Sequence, residues 1–103
     1  ELQLLVDVSG SVSTSEFNLQ RTGYANAFQS ASIQNAIANV GGIAVQFIYW
    51  SSSSQQQVAV DWTLVSDAAS ANSFADSILA ASRPFSGGTA PQAAMAFGAP
   101  LFA

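Results

Sequence analysis

The sequence contains no cysteine and no histidine in its 103 residues. Without cysteine, the chain can form neither a disulfide framework nor a thiolate metal site. Without histidine, it lacks the commonest zinc ligand and the side chain that most often acts as a general base. The composition therefore argues against zinc chemistry and against most acid–base catalysis, and we expect the protein not to be an enzyme.

Positive charge is also scarce, with two arginines, no lysine and a net charge of −4. A nucleic-acid-binding surface needs clustered cations to neutralise phosphates, and attachment to an anionic membrane needs them too. A phosphate-binding loop of the G-x-x-x-x-G-K-[ST] type is excluded, because that pattern requires a lysine. We therefore expect that the protein does not bind nucleic acid, and we expect neither attachment to an anionic membrane nor membrane insertion.

The composition that remains is typical of one small globular domain. Half of the residues are apolar and 8% are charged, and a chain of about 100 residues can bury one core but not two. No apolar run is long enough to span a bilayer. The chain starts at Glu1 directly in a strand pattern, without an initiator methionine or a basic leader. A signal peptide could have preceded it, so a secreted or periplasmic location is favoured.

The most informative stretch is residues 4–13, where an apolar run ends at Asp7 and Ser9, Gly10 and Ser11 follow. In an extended backbone, side chains two residues apart point the same way. If Gly10 lets the chain curl, three side-chain oxygens can therefore converge just beyond the end of a strand. Hard oxygen ligands without nitrogen or sulfur are typical of sites for Mg²⁺, Ca²⁺ or Mn²⁺.

A second interpretation of the same stretch is purely structural. Asp, Ser and Gly are common where a strand ends and a helix is capped, because their side chains bond to the local backbone. A nucleophile elbow is disfavoured, since Asp7 stands where the G-x-S-x-G pattern needs glycine and no histidine can serve as base. The spacing alone leaves the metal site and the structural turn open.

Periodicity and capping signals predict alternating strands and helices. Ser13 and Glu16 fit a capping box at the start of a long helix, and Gly41 and Gly42 are expected to end the helical region in the left-handed conformation. Polar residues 51–57 permit a hairpin between antiparallel strands. The predicted elements are a strand at 2–8 that is buried on both faces, a helix at 14–31, a helical turn at 32–37, strands at 43–50 and 58–64, a helix that begins at Ser66 or Asp67 and includes residues up to Leu79, and a helix from Pro91 to about Phe97.

Several other side chains are expected to have only structural roles. Trp50 and Trp62 are predicted to pack as a cross-strand pair, and residues 51–57 to form a flexible loop tip. Arg21 is expected to spread over its helix and Arg83 to contact a local carbonyl. The predicted core stripes are Phe17, Tyr24, Ala27, Phe28 and Ala31 on the first helix, and Ala71, Phe74, Ala75, Ile78 and Leu79 on the third.

The run Asp7-Val8-Ser9-Gly10-Ser11 after an apolar strand resembles the D-x-S-x-S metal-site signature of von Willebrand factor A (vWA) domains. A threonine from a later loop joins that site, and Ser86-Gly87-Gly88-Thr89 resembles this loop, with Thr89 as the matching residue. The order of predicted elements follows the family throughout. The local sequence, including residues 83–89, is similar to a bacterial A-domain-like family of unknown function.

The resemblance implies an α/β fold, a doubly wound Rossmann-like sheet of about three strands with the third antiparallel at the edge and helices on both faces. Residues 1–103 would be the N-terminal portion of a single vWA-like domain. The implied activity is non-enzymatic binding of a protein partner through Mg²⁺, or Mn²⁺ or Ca²⁺. Ser9 and Ser11 would ligate the ion directly, Asp7 mostly through a water and Thr89 in either way, and a carboxylate of the partner would complete the coordination.

The sequence departs from the family at the downstream aspartate of the metal site. None of Asp61, Asp67 or Asp76 stands at that position, and each is expected to be a solvated or capping residue. A structural domain with an incomplete metal site is therefore the alternative function. A phosphotransferase with Asp7 as nucleophile is disfavoured, because Ser9 stands where such enzymes carry a second aspartate.

The strand expected to flank residues 2–8 in the family order 3-2-1-4 is also absent. An apolar strand at an open sheet edge is a template for pairing with another chain. We therefore expect self-association through the edge of strand 2–8.

Overall fold

The computed structural model describes residues 1–102 as a three-stranded mixed sheet flanked by four helices. This Rossmann-like α/β arrangement confirms the predicted fold class. The elements are β1 (Leu2–Asp7), α1 (Thr14–Gln29), α2 (Ala31–Asn39), β2 (Ile43–Trp50), β3 (Gln56–Val65), α3 (Ala68–Ala80), α4 (Pro91–Gly98) and a 3₁₀ turn (Ala99–Leu101).

The sheet has the strand order β1-β2-β3. β1 pairs with β2 in parallel, from Leu2 opposite Val45 to Asp7 opposite Trp50. β3 pairs with β2 antiparallel, as the hairpin prediction expected, with an irregular register between Val45 and Ile48. Because β2 has a neighbour on each side, it is the most buried strand. β1 lies at an edge of the sheet. The prediction that it is buried on both faces is wrong, since Leu2 is 41% exposed.

Helices cover both faces of the sheet. Leu4 and Phe47 point to the face where α1 and α3 pack, and the largest apolar cluster lies there. Because side chains alternate along a strand, Gln3 and Gln46 point to the opposite face. α4 contacts β1 and β2 on that side, where Gln3 Nε2 donates to the carbonyl oxygen of Gly98 at 2.8 Å.

Aromatic rings fill the larger core. The Phe47 ring lies edge-to-face between Tyr24 and Tyr49, with centroid distances of 5.4 and 5.3 Å. Phe28 and Phe74 join α1 to α3 in the same geometry at 4.8 Å. The buried stripes match the predicted ones except at four residues: Ala27 and Ala31 are exposed, Ala25 is buried instead, and Leu79 is 40% exposed.

The predicted helix 14–31 is in fact two helices that meet at Ser30. Ser30 ends α1 in an extended conformation, and its hydroxyl accepts a hydrogen bond from the backbone N–H of Ile33, which caps α2. A serine in the middle of a helical pattern can offer this alternative bond, which a periodicity argument overlooks. The predicted turn 32–37 is therefore the central part of a nine-residue helix.

The predicted left-handed conformation at the end of α2 is confirmed. Gly41 and Gly42 have φ angles of +82° and +97°, and the N–H of Gly42 donates to the carbonyl of Ile37 at 3.0 Å. Positive φ angles are readily available to glycine because it lacks Cβ. The two glycines thus satisfy the end of α2 and lead the chain into β2.

The predicted Trp50–Trp62 pair is wrong. Gln56, not Trp62, lies opposite Trp50. The Trp62 ring instead packs on Phe102 at a centroid distance of 5.3 Å, and its Nε1 donates to the carbonyl of Leu101 at 3.1 Å. The hairpin turn places Gln56 opposite Trp50, and Trp62 lies six residues further along β3, so the two rings cannot face each other.

Within residues 1–102, no helix has both the length and the apolarity that a membrane crossing requires.

Candidate metal centre

Three loops meet at the carboxyl ends of the parallel strands β1 and β2. They are residues 8–13 after β1, residues 51–55 after β2, and residues 81–90 between α3 and α4. Open α/β sheets generally bind ligands at this edge, because loops from neighbouring strands converge there. The predicted metal-site residues all belong to β1 or to these loops.

The end of β1 and the loop after it, residues 7–13 (the Asp7 loop), bring the side chains of Asp7, Ser9 and Ser11 close to one another. Asp7 Oδ1 accepts a hydrogen bond from the backbone N–H of Ser9 at 2.8 Å, which closes the turn. The hydroxyl oxygens of Ser9 and Ser11 lie 3.4 Å apart, close to the ~3 Å that separates neighbouring ligands of a small divalent ion. Ser9 is 1% exposed and Asp7 is half-buried. The structure therefore brings Asp7, Ser9 and Ser11 together as predicted.

The next turn of the chain fixes how α1 leaves the loop. Glu16 N–H donates to the Ser13 hydroxyl, while the Glu16 carboxylate accepts from the Ser13 backbone N–H at 2.9 Å. The predicted capping box is confirmed. The hydrogen bond from the Ser13 backbone has the larger effect on the Glu16 carboxylate and the Ser13 side chain the smaller one. Together they hold the pKa of Glu16 below its usual value. The amino end of α1 therefore lies beside the Asp7 loop.

Thr89 approaches this site through its loop and not through a contact of its own. The N–H of Gly10 donates to the carbonyl of Gly87 at 2.8 Å. A Cβ at Gly10 would lie 3.0 Å from the carbonyl oxygen of Ser86, so glycine permits the two loops to abut. Thr89 itself is exposed, and within residues 1–102 its hydroxyl makes no hydrogen bond. The fourth predicted ligand thus lies on the loop that adjoins the other three.

The prediction of a flexible loop at residues 51–57 is wrong. Ser51 is fully buried; its hydroxyl donates to Gln55 Oε1 at 2.5 Å and accepts from the N–H of Gly87 at 3.2 Å. The Ser51 carbonyl also accepts from the N–H of Ala90 at 2.8 Å. The role of Ser51 in joining the loops was missed in the sequence, because it stands in a low-complexity run of Ser and Gln residues. The signal that could have revealed it is the position of Ser51 directly after the buried strand β2.

Arg83 lies beneath the Asp7 loop and binds its backbone. Its Nη2 donates to the carbonyl oxygens of Val8, Ser9 and Val12 at 2.8, 2.8 and 2.7 Å. The guanidinium also lies over the Phe17 ring, 5.6 Å from its centroid. A carbonyl contact was expected for Arg83, but the carbonyls bound are more than 70 residues away in sequence and not local.

The start of the 81–90 loop is tied down by two further side chains. The carbonyl of Ala81 accepts from the Tyr49 hydroxyl at 3.1 Å and from Arg21 Nη1 at 3.3 Å. Burial raises the pKa of Tyr49 to about 12, against the lowering effect of Arg21. The phenol therefore stays protonated and remains a donor at neutral pH. Arg21 was expected to spread over its helix, and its guanidinium lies over Phe17 of that helix, 5.2 Å from the ring centroid.

The other carboxylates are structural or solvated, as predicted. Asp61 Oδ1 accepts from Gln46 Nε2 and from the N–H of Trp62. Asp67 caps α3, and hydrogen bonds from the Ser70 backbone and hydroxyl lower its pKa. Asp76 is exposed on α3. In the part of the chain that the structure describes, no three His, Cys, Asp or Glu side chains group to hold a metal.

Comparison with known families gives a match over the full length of the chain. Residues 1–103 match the family described as "Protein of unknown function (DUF1194)". The chain belongs to this family. No curated protein matches the DUF1194 chain. The family description names no activity.

That geometry offers a small cation one carboxylate and neutral hydroxyls. An ion with so few negative ligands keeps much of its positive charge and attracts a further anion. The loop 8–13 is held from below by Arg83 and from the side by Gly87, so its oxygens are positioned before any ion arrives. The donor set thus consists of the hard oxygen ligands that Mg²⁺ and Ca²⁺ take in proteins.

Proposed function

We propose that the DUF1194 chain is a vWA-like, non-enzymatic module that binds a protein partner through a divalent cation. The cation is held by Asp7, Ser9, Ser11 and Thr89. It is Mg²⁺, with Mn²⁺ or Ca²⁺ as substitutes, and it supplies an electrophilic centre for a carboxylate of the partner. The observation that carries this proposal is the pair of hydroxyls 3.4 Å apart beside the Asp7 carboxylate, at the ligand-binding edge of the sheet.

Two features of the site support capture of an anion. Neutral hydroxyls contribute no charge, so Asp7 offsets only half of the charge of a divalent ion. The amino end of α1 lies beside the loop, and the helix dipole there favours negative charge. A partner that presents an Asp or Glu side chain fits both features.

A structural domain with an inactive metal site is the second candidate. It is favoured by the exposed position of Thr89 and by the absence of an acidic group of three or more side chains within residues 1–102. In that case the Asp7 turn and the Arg83 contacts only stabilise the fold. The two candidates differ in whether the folded chain binds a cation.

A thermal melt with and without Mg²⁺ or Mn²⁺ distinguishes them. An ion at ten times its dissociation constant stabilises the folded state by about 1.4 kcal/mol, which raises the melting temperature of a domain of this size by about 5–10 °C. Asp7→Ala is expected to lose this increase. Its melting temperature without ion also falls, because Ser9 N–H loses its acceptor, so the shift on adding ion is the relevant quantity.

Asp76→Ala is the matched control, since it removes one exposed carboxylate on α3. It is expected to retain the full ion-dependent shift. The absence of a shift in the wild-type chain at millimolar ion would contradict the proposed function. An equal shift in the wild type and in Asp7→Ala would show that the ion binds elsewhere.

We also propose that the module self-associates through β1. Within residues 1–102, β1 pairs with β2 and has no strand on its other side. Leu2 and Leu4 of this strand line an apolar cavity of about 390 Å³ between the sheet edge and helices α1 and α2. An unpaired apolar edge can add a strand of a second copy, which extends the sheet and covers the apolar surface.

Leu2→Lys is expected to oppose this association. A lysine at a sheet edge resists pairing, because its charge would have to be buried. By light scattering, we expect the mass of the wild type to rise with concentration and that of Leu2→Lys to remain monomeric. Leu19→Lys, at an exposed position on α1, is expected to behave like the wild type. A monomeric wild type at high concentration would contradict self-association.

A further inference from the structure

We propose that Arg83 determines which ion the site accepts, by favouring Mg²⁺ over Ca²⁺. This inference rests on the proposed metal-binding function and adds a specificity residue to it. Arg83 does not ligate the ion. It acts by withholding backbone oxygens that a larger cation would use.

The Asp7 loop has two kinds of oxygen that a cation could use, namely side-chain oxygens and backbone carbonyls. Of the five carbonyls at residues 8–12, Arg83 Nη2 binds three, those of Val8, Ser9 and Val12, at 2.7–2.8 Å. The Ser9 carbonyl is engaged a second time by the N–H of Val12 at 2.9 Å. These carbonyls therefore face the guanidinium, and the loop offers mainly the oxygens of Asp7, Ser9 and Ser11.

This division of oxygens matters because the two ions differ in their needs. Ca²⁺ takes six to eight oxygens and commonly uses backbone carbonyls, in a flexible geometry. Mg²⁺ is smaller, demands a regular octahedron and usually keeps several waters, so that a few protein ligands suffice. A loop whose carbonyls are occupied by an arginine can satisfy Mg²⁺ more easily than Ca²⁺.

The guanidinium is well placed to hold this arrangement. The Arg83 side chain is half-buried, with its guanidinium carbon 5.6 Å from the centroid of the Phe17 ring, and cation–π attraction at this distance opposes its turning away. A lysine ammonium has three donors but neither the planar shape nor the reach of arginine. Arg83 to lysine is thus a partial replacement, and Arg83 to methionine keeps the apolar stem alone.

The test is the ratio of the dissociation constants of Ca²⁺ and Mg²⁺, measured by calorimetry on the full 103-residue chain. Loss of the positive charge strengthens the binding of both divalent ions alike and leaves the ratio unchanged. A loosened loop by itself favours Ca²⁺, which accepts a more flexible geometry, so the ratio is compared only for variants whose near-ultraviolet circular dichroism matches that of the wild type. We expect the ratio to fall at least tenfold in Arg83→Met and about threefold in Arg83→Lys.

Arg21→Met is the matched control. Arg21 also lies over Phe17, but it donates to Ala81 and Asn18 and to none of the carbonyls of residues 8–12. We expect its ratio to equal that of the wild type. If Arg83→Met does not fold, as judged by near-ultraviolet circular dichroism, Arg83→Lys decides the question. An unchanged ratio in the folded Arg83 variants overturns the inference, whereas a wild type that binds neither ion overturns the proposed function as well.

Discussion

Phe47→Ala is expected to lower the free energy of unfolding by about 3–5 kcal/mol, as truncation of a buried aromatic residue typically does. Phe47 is fully buried in the middle of the central strand β2. Its ring contacts Tyr24 on α1 and Tyr49 on the same strand, both edge-to-face. The truncation removes these contacts and leaves a cavity that the rigid sheet cannot close. Domains of this size have a total stability of about 5–15 kcal/mol, so this loss is a large fraction of it.

Urea denaturation at neutral pH measures this loss, with Leu19→Ala as the control. Leu19 is 74% exposed on α1, so its truncation is expected to change the free energy of unfolding by less than about 0.5 kcal/mol. Similar losses of stability in the two variants would mean that the contacts of Phe47 with Tyr24 and Tyr49 do not stabilise the fold. The stabilising core would then lie elsewhere in the sheet.

Most of the fold could be predicted because its signals are local. The apolar run of β2, the capping residues Ser13 and Asp67, and the glycines at 41 and 42 act within a few residues of themselves. The split at Ser30 was missed because a mid-pattern serine can cap a helix or sit within one, and only the packing of α2 decides. The partner of Trp62 was missed because it depends on residues 40 positions later.

The candidate site likewise has some features that local sequence predicts and others that depend on long-range contacts. The positions of Asp7, Ser9 and Ser11 follow from the two-residue repeat of an extended chain and from one glycine. The contacts that hold the loop in place are long-range: Arg83 binds carbonyls more than 70 residues earlier, and Ser51 binds Gly87 across 36 residues. No periodicity or local propensity encodes such contacts. A single sequence therefore reveals the oxygens of the site and conceals most of the groups that support them.

Gly87→Ala is expected to disturb this support and to weaken ion binding by about tenfold. A Cβ at Gly87 would overlap Gln55 Oε1 and lie 3.3 Å from the Ser52 hydroxyl. Gln55 Oε1 accepts from the hydroxyls of Ser51 and Ser52. Displacement of this oxygen leaves the fully buried Ser51 hydroxyl without its acceptor, which costs about 1–3 kcal/mol of stability.

The expected loss of ion affinity follows from the backbone carbonyl of Gly87. The Gly87 carbonyl accepts from Gly10 N–H at 2.8 Å, and this bond joins the Thr89 loop to the Asp7 loop. If Gln55 holds its place, the added methyl group instead displaces Gly87 and strains its bond to Gly10. This response moves the Thr89 loop relative to Ser9 and Ser11. A Mn²⁺ titration together with urea denaturation measures the two consequences on one variant.

Gly88→Ala provides a closely matched control. Gly87 and Gly88 are adjacent, and neither has a positive φ angle, so an alanine at either position strains no backbone conformation. A Cβ at Gly88 meets only the Ser52 Cβ, at an ordinary contact distance of 3.9 Å. We therefore expect Gly88→Ala to keep both its stability and its ion affinity. Equal effects of the two substitutions would show that the loop responds to any added methyl group, and that the Ser51–Gln55–Gly87 contacts do not position the site.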